Sequence, residues 1–155
     1  SHIRDKITEM IHLNETLHAS SLACAYEGMK TKSGAYIVNP LYANVTKLNV
    51  TRYLYEIARL SHDIAGGFVA TLPSEKDLHS PEVGVYIEKY FKAKSDVPTE
   101  HRIKIGRLIE NLTGPTSLIE AMQGAGSPQA QRLMILRQGD LEHKKTLAKD
   151  LLGIR

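Results

Sequence analysis

Residues 120–132, EAMQGAGSPQAQR, hold the grouping most capable of chemistry. Glu120 lies just before three small residues, Gly124, Ala125 and Gly126. Such a run tolerates positive φ and lets another group approach the backbone closely. Ser127 has the character of a helix N-cap and Pro128 that of a first helical residue. A helix starting there would aim backbone N–H groups and the positive end of its dipole toward the turn. A carboxylate beside such a turn suits proton transfer or anion binding. The same features also describe a plain helix–helix connection.

Other candidate groups are weaker. Lys47 and Thr51 lie one helical turn apart and can face an anionic ligand together. Arg52, Glu56, Arg59 and Asp63 form a ladder of alternating charge, read first as a structural ion-pair stripe. Glu9–His12 and Glu15–His18 have the Glu-x-x-His spacing of di-iron bundles. Both pairs fall on one helix, about 240° of rotation apart, with no partner motif on another helix, so surface roles are the simpler reading. Cys24 lies in an apolar stretch and reads as a small buried residue. The chain has one cysteine, so it has no internal disulfide and no CxxC metal site. No metal site is expected. Phosphate-binding glycine motifs and a Gly-x-Ser-x-Gly elbow are missing from the sequence.

Helices must position these groups. Apolar residues recur at three- and four-residue steps over 3–27, and Asn39-Pro40 opens a long helix over about 41–65. That helix is apolar nearly all round, which predicts a central place. Ser74-x-x-Asp77 resembles a capping box. Further helices are predicted over 81–93 behind Ser80-Pro81, over 100–112 capped by Thr99, over 116–123, and over 128–152. Ile105, Leu108, Ile109 and Leu112 are expected to face inward, as are Leu133, Met134, Leu141, Ala148 and Leu152. Only residues 35–38 suggest an extended piece. The expected fold class is all-α, an antiparallel helical bundle forming one domain over 1–155.

Composition is that of an ordinary globular chain of 155 residues, with 42% apolar and 24% charged residues. The net charge of +3 is dispersed, which argues against a nucleic-acid stripe. There is no apolar run long enough to span a membrane, and no signal-peptide pattern. A cytoplasmic setting is expected.

Two long strings carry a family resemblance. LYANVTKLNVTRYLYEIARLSHDIAGGFVATLPSEKD (41–77) and EAMQGAGSPQAQRLMILRQGDLEHKKTLAKDLLGI (120–154) resemble the 4-hydroxybutyryl-CoA dehydratase/vinylacetyl-CoA isomerase branch of the 4-hydroxyphenylacetate 3-hydroxylase flavoproteins. SHIRDKITEMIHLNETL at the start also looks like that family's internal sequence. The resemblance is to the C-terminal part only and implies an acyl-CoA-dehydrogenase-like helical domain. It implies FAD in the complete enzyme. It allows a four-iron cluster only through upstream ligands, which Cys24 and His12 do not match. Glu120 matches the glutamate before the turn, a candidate proton-transfer residue. Ala121, Met122 and Gly124 match the flavin-contacting stretch, and Lys47 and Thr51 the helix nearing the cofactor. Gln123 stands where dehydratases usually have histidine, and the segment between Leu112 and Glu120 looks shorter than theirs. The implied substrates are an acyl-CoA or a phenolic acid. The implied assembly is a homo-oligomer, or a complex with a subunit carrying the N-terminal domains. A non-catalytic assembly domain is the alternative.

Overall fold

A computed structural model describes residues 1–154. The chain is helical apart from one small hairpin. In order it forms α1 (His2–Tyr26), β1 (Met29–Lys30), β2 (Tyr36–Ile37), α2 (Pro40–Ala65), a 3₁₀ segment (Gly66–Thr71), α3 (Glu75–Leu78), α4 (Gly84–Phe91), α5 (Thr99–Leu112), α6 (Pro115–Gln123), α7 (Pro128–Gln138) and α8 (Leu141–Leu152). The all-α class holds. The residues gather into two compact units. The first comprises 1–7 and 55–119, the second 8–54 and 120 onward.

In the second unit, the hairpin turns the chain from α1 into α2. Met29 pairs with Ile37 and Lys30 with Tyr36, antiparallel. The extended piece expected at 35–38 is thus β2, and its partner strand lies in the polar run after α1. Gly28 is required here, because a Cβ would stand 2.5 Å from the Ile37 carbonyl oxygen. The Tyr36 hydroxyl donates to the Ala25 carbonyl at 2.6 Å, and the Asn39 N–H to the Cys24 carbonyl at 2.9 Å. Asn39 then caps α2, its Oδ1 accepting from the Tyr42 N–H at 3.1 Å. Leu13, Cys24, Leu48, Thr51 and Gln131 are the buried side chains of this unit.

The first unit is built around α5. Gly106 lets that helix approach the 3₁₀ segment closely, since a Cβ there would meet Phe68 at 2.7 Å and Leu72 at 2.8 Å. The Arg102 guanidinium lies 4.0 Å from the centre of the Phe68 ring and donates to the Phe91 carbonyl. Thr99, 1% exposed, donates to the Glu88 carbonyl at 3.4 Å and so ties α5 to α4. Ser74 and Asp77 form the expected capping box at the start of α3.

Several local expectations are corrected. The predicted helix over 128–152 is two helices. Asp140 takes a left-handed conformation (φ +43°) and caps α8 through the His143 N–H at 3.0 Å. Thr99 lies inside α5 as a tie to α4, and the N-cap position belongs to Pro98. Helix α4 begins at Gly84, because the Ser80 hydroxyl organises a turn over 81–83 first. On α5 the close approach at Gly106 turns Ile103 inward and leaves Ile105, Leu108 and Leu112 exposed. Leu133, Leu141 and Leu152 are exposed too, and every residue of α8 is exposed. In the charge ladder, Arg59 pairs with Glu56 at 2.6 Å, but Asp63 turns to Lys6 of α1 at 2.7 Å.

Candidate functional site

The turn between α6 and α7 lies in the second unit, as does the half of α2 that carries Lys47 and Thr51. Helix α6 ends because Gly124 and Gly126 fold the chain back on its last turn. The Gly124 N–H donates to the Glu120 carbonyl at 2.7 Å, and the Gly126 N–H to the Gln123 carbonyl at 3.2 Å. Ala125 and Gly126 both have positive φ, +58° and +98°. Gly124 is needed for space: a Cβ would stand 2.9 Å from the Glu120 carbonyl oxygen.

Ser127 caps α7 as its sequence implied. Its Oγ accepts from the Ala130 N–H at 3.3 Å, and its carbonyl from the Gln131 N–H at 3.3 Å. Internal bonds therefore take the N–H groups of Gly124, Gly126, Ala130 and Gln131. The expected convergence of free donors narrows to Ala125, Ser127 and Gln129, since Pro128 has no N–H.

Lys47 and Ala121 are brought together. The ammonium donates to the Ala121 carbonyl at 2.6 Å across a separation of 74 residues. That carbonyl belongs to the last turn of α6, where no intrahelical donor remains. A cation there also meets the negative end of the helix dipole. Thr51 is not drawn into the cluster. It is 7% exposed, and its hydroxyl donates to the Leu48 carbonyl of its own helix at 2.7 Å. Ala121 and Met122 are half-buried. Glu120 is exposed, and its side chain has no hydrogen-bond or ion-pair partner among the described residues.

Two polar residues escaped the sequence reading. Gln131 is 3% exposed, and its Nε2 donates to the Ala125 carbonyl at 3.3 Å. Its Oε1 and the Thr46 Oγ1 are buried without a hydrogen-bond partner. Helical spacing held the clue to Gln131. Gln131, Met134, Ile135 and Gln138 follow three-, one- and three-residue steps, and none of the four is exposed. Of the two α7 residues expected to face inward, Met134 lies on this face, whereas Leu133 is 45% exposed.

The first unit has a cleft of about 400 Å³ lined by Pro73, Leu78, Ile103, Lys104 and Arg107, among others. Its two cations, Lys104 and Arg107, are paired locally. Lys104 meets Glu100 at 2.6 Å, and Arg107 meets Glu110 at 2.5 Å and the Pro73 carbonyl at 2.8 Å. Among the described residues, no three His, Cys, Asp or Glu side chains gather to hold a metal ion. No helix among them is long and apolar enough to cross a membrane.

The family model described as 4-hydroxyphenylacetate 3-hydroxylase C terminal matches residues 1–153. The chain belongs to this family. It is 47% identical, over its whole length, to 4-hydroxybutyryl-CoA dehydratase/vinylacetyl-CoA-Δ-isomerase of Clostridium aminobutyricum and spans 34% of that protein. A solved 4-hydroxybutyryl-CoA dehydratase from N. maritimus superposes on all of the chain with a TM-score of 0.95 and 53% identity; the match covers 32% of that structure. The oxygenase component of 4-hydroxyphenylacetate 3-monooxygenase, solved with FAD and 4-hydroxyphenylacetate, shares the fold. Its TM-score is 0.87 at 20% identity, over 99% of this chain and 33% of that one. The chain thus spans about a third of the length of the relatives it matches.

Proposed function

We propose that this chain is the C-terminal helical domain of a flavin-dependent enzyme acting on an acyl-CoA, with chemistry of the 4-hydroxybutyryl-CoA dehydratase type. Phenolic-acid hydroxylation is the other branch of the family. The 47% identity over the whole chain carries the dehydratase reading. On this reading the chain forms a single domain and contributes one wall of a site completed by the domains that make up the rest of its relatives. Alone it is inactive.

The residues present fit one edge of a polar, planar cofactor. Ala121 and Met122 offer half-buried surface, and Lys47 keeps two donors beyond the one that meets Ala121. The Thr46 hydroxyl, on the same helix as Lys47, is buried with no hydrogen-bond partner, so its donor is unspent. Bound FAD would supply electron-transfer chemistry that a carboxylate and an amine cannot. The Lys47 contact holds the end of α6, and with it the backbone of Glu120. The exposed Glu120 carboxylate is then available to take a proton from the substrate carbon and return it. A four-iron cluster does not fit this chain's own donors, because such a cluster takes several thiolates and the chain has one cysteine, buried.

A second reading, an assembly domain, draws on the outward leucines of α7 and α8. Both readings expect self-association or docking onto a subunit carrying the N-terminal domains. The deciding experiment is a flavin titration of this chain, alone and mixed with such a subunit, followed by sedimentation. Flavin binding that appears only in the mixture supports the enzyme reading. A complex that forms without flavin leaves the assembly role, and a monomer that joins neither rejects both.

A further inference from the structure

We propose that Gln131 is the positioning residue of the turn that carries Glu120. The catalytic consequence rests on the flavoenzyme reading; the structural part does not. The turn has an unusual demand. Two consecutive residues, Ala125 and Gly126, sit at positive φ, and Ala125 has a Cβ that makes this conformation costly. Such a conformation persists only where its surroundings hold it. The Ala125 carbonyl receives a donor from Gln131 Nε2, six residues on. Gln131 is almost fully buried, so this bond is shielded from competing water.

Packing reinforces the bond. A Cβ on Gly126 would stand 3.2 Å from Gln131 Nε2 and 3.8 Å from the Ala130 Cβ, so the amide lies directly against the Gly126 backbone. Its orientation is fixed as well. With the amide reversed, Oε1 would face the Ala125 carbonyl, acceptor against acceptor. Gln131 sits one turn inside α7, whose N-terminus Ser127 already pins. The amide therefore links the rigid helix to the strained residues before it. The Gly124 N–H to Glu120 carbonyl bond and the Lys47 contact hold the other side. Glu120 and Gly124 are thus placed between two fixed points, one on α2 and one on α7. Neither Asn, too short, nor Met, without a donor, can replace the Gln131 contact.

Nuclear magnetic resonance of the full chain tests the structural part. In the unmodified protein the Gln131 side-chain amide protons should show a cross-peak to the Gly126 Hα. Their exchange with solvent should be at least roughly tenfold slower than that of the exposed Gln129. Absence of the cross-peak overturns the inference, whether or not any variant folds. Gln131→Met should speed backbone amide exchange at Gly126 and Ala130 roughly tenfold, while Gln129→Met leaves it unchanged. Equal effects of the two substitutions would also overturn it. In the chain assembled with the domains that make up the rest of its relatives, Gln131→Met should lower kcat about tenfold and move KM less than twofold, with flavin content retained. Unchanged kcat would remove the catalytic role. If the assembled protein binds no flavin at all, the flavoenzyme reading falls, and the cross-peak and exchange rates still decide the role of Gln131.

Discussion

The Lys47 ammonium and the Ala121 carbonyl meet at 2.6 Å, joining the first half of α2 to the last turn of α6. The contact is charge-assisted and partly buried, so it exceeds an ordinary surface bond in strength. Lys47→Met keeps the stem and removes the donor. It should destabilise the chain by about 1.5 kcal/mol and lower the melting temperature by roughly 3–6 °C. Lys47→Arg keeps the charge and should recover part of the loss. Thermal unfolding of the three proteins checks this, and a Met variant as stable as the parent would show that the contact does not hold α6.

Gly126 and Gly67 make a matched pair of glycine tests. Gly126→Ala places a Cβ at φ +98° and 3.2 Å from Gln131 Nε2. The expected cost is about 1–3 kcal/mol. Gly67 lies in the 3₁₀ segment with open space where a Cβ would go and no positive φ. Gly67→Ala should be neutral, or stabilise by up to about 1 kcal/mol through the unfolded chain. Urea titrations of both variants measure the difference.

Glu120→Gln keeps the shape of the side chain and removes the base. In the chain assembled with the domains that make up the rest of its relatives, turnover should fall by about 10²-fold or more. Flavin content and stability should stay near the parent's, because the exposed carboxylate has no partner among the described residues to lose. Steady-state rates beside flavin absorbance separate this outcome from a structural role, in which all three would fall together. Parental turnover would take Glu120 off the catalytic list.

Acid should weaken the first unit. A hydrogen bond from Lys6 holds the Asp63 carboxyl below its ordinary value of 3.8. The Ser74 hydroxyl, then its N–H, does the same for Asp77. Arg59 lowers Glu56 and Lys104 lowers Glu100 from the ordinary value of 4.5. A folded value below the unfolded one means that the stabilisation is complete above the unfolded value. It is lost as pH falls through the folded value. Denaturant midpoints should therefore hold steady from neutral pH down to about 5 and decline below about 4.5 on account of these groups. Each carboxylate is open to solvent, so each contribution is small. Asp77→Asn should make the acid decline shallower, and an unchanged slope would remove the capping box from this account.

Much of the local architecture was legible because its causes are local. Asn39-Pro40, Ser74-x-x-Asp77 and Ser127-Pro128 each bring the capping acceptor and the N–H it satisfies within three residues. They mark where α2, α3 and α7 begin without help from the rest of the chain. The family was legible for a related reason: long contiguous strings survive in this chain, and identity over its whole length bears them out.

Tertiary structure decided which way the helices face and which polar groups meet. A period of 3.6 residues defines faces but not what lies opposite them. On α5 the decision rests on Gly106, where a missing side chain admits Phe68 and Leu72, so Ile103 turns inward and Leu108 outward. On α7, Gln131 is buried because the positive-φ turn before it offers a carbonyl that only a folded chain brings within reach. Asp63 had a like-spaced partner in Arg59, yet it pairs with Lys6, which tertiary folding brings closer. The break at Gly139-Asp140 depends on a left-handed residue that an Asp tolerates but does not announce. Caps follow from neighbours in the chain; the placement of Glu120, held through Lys47 and Ala121, required residues 74 positions apart to meet.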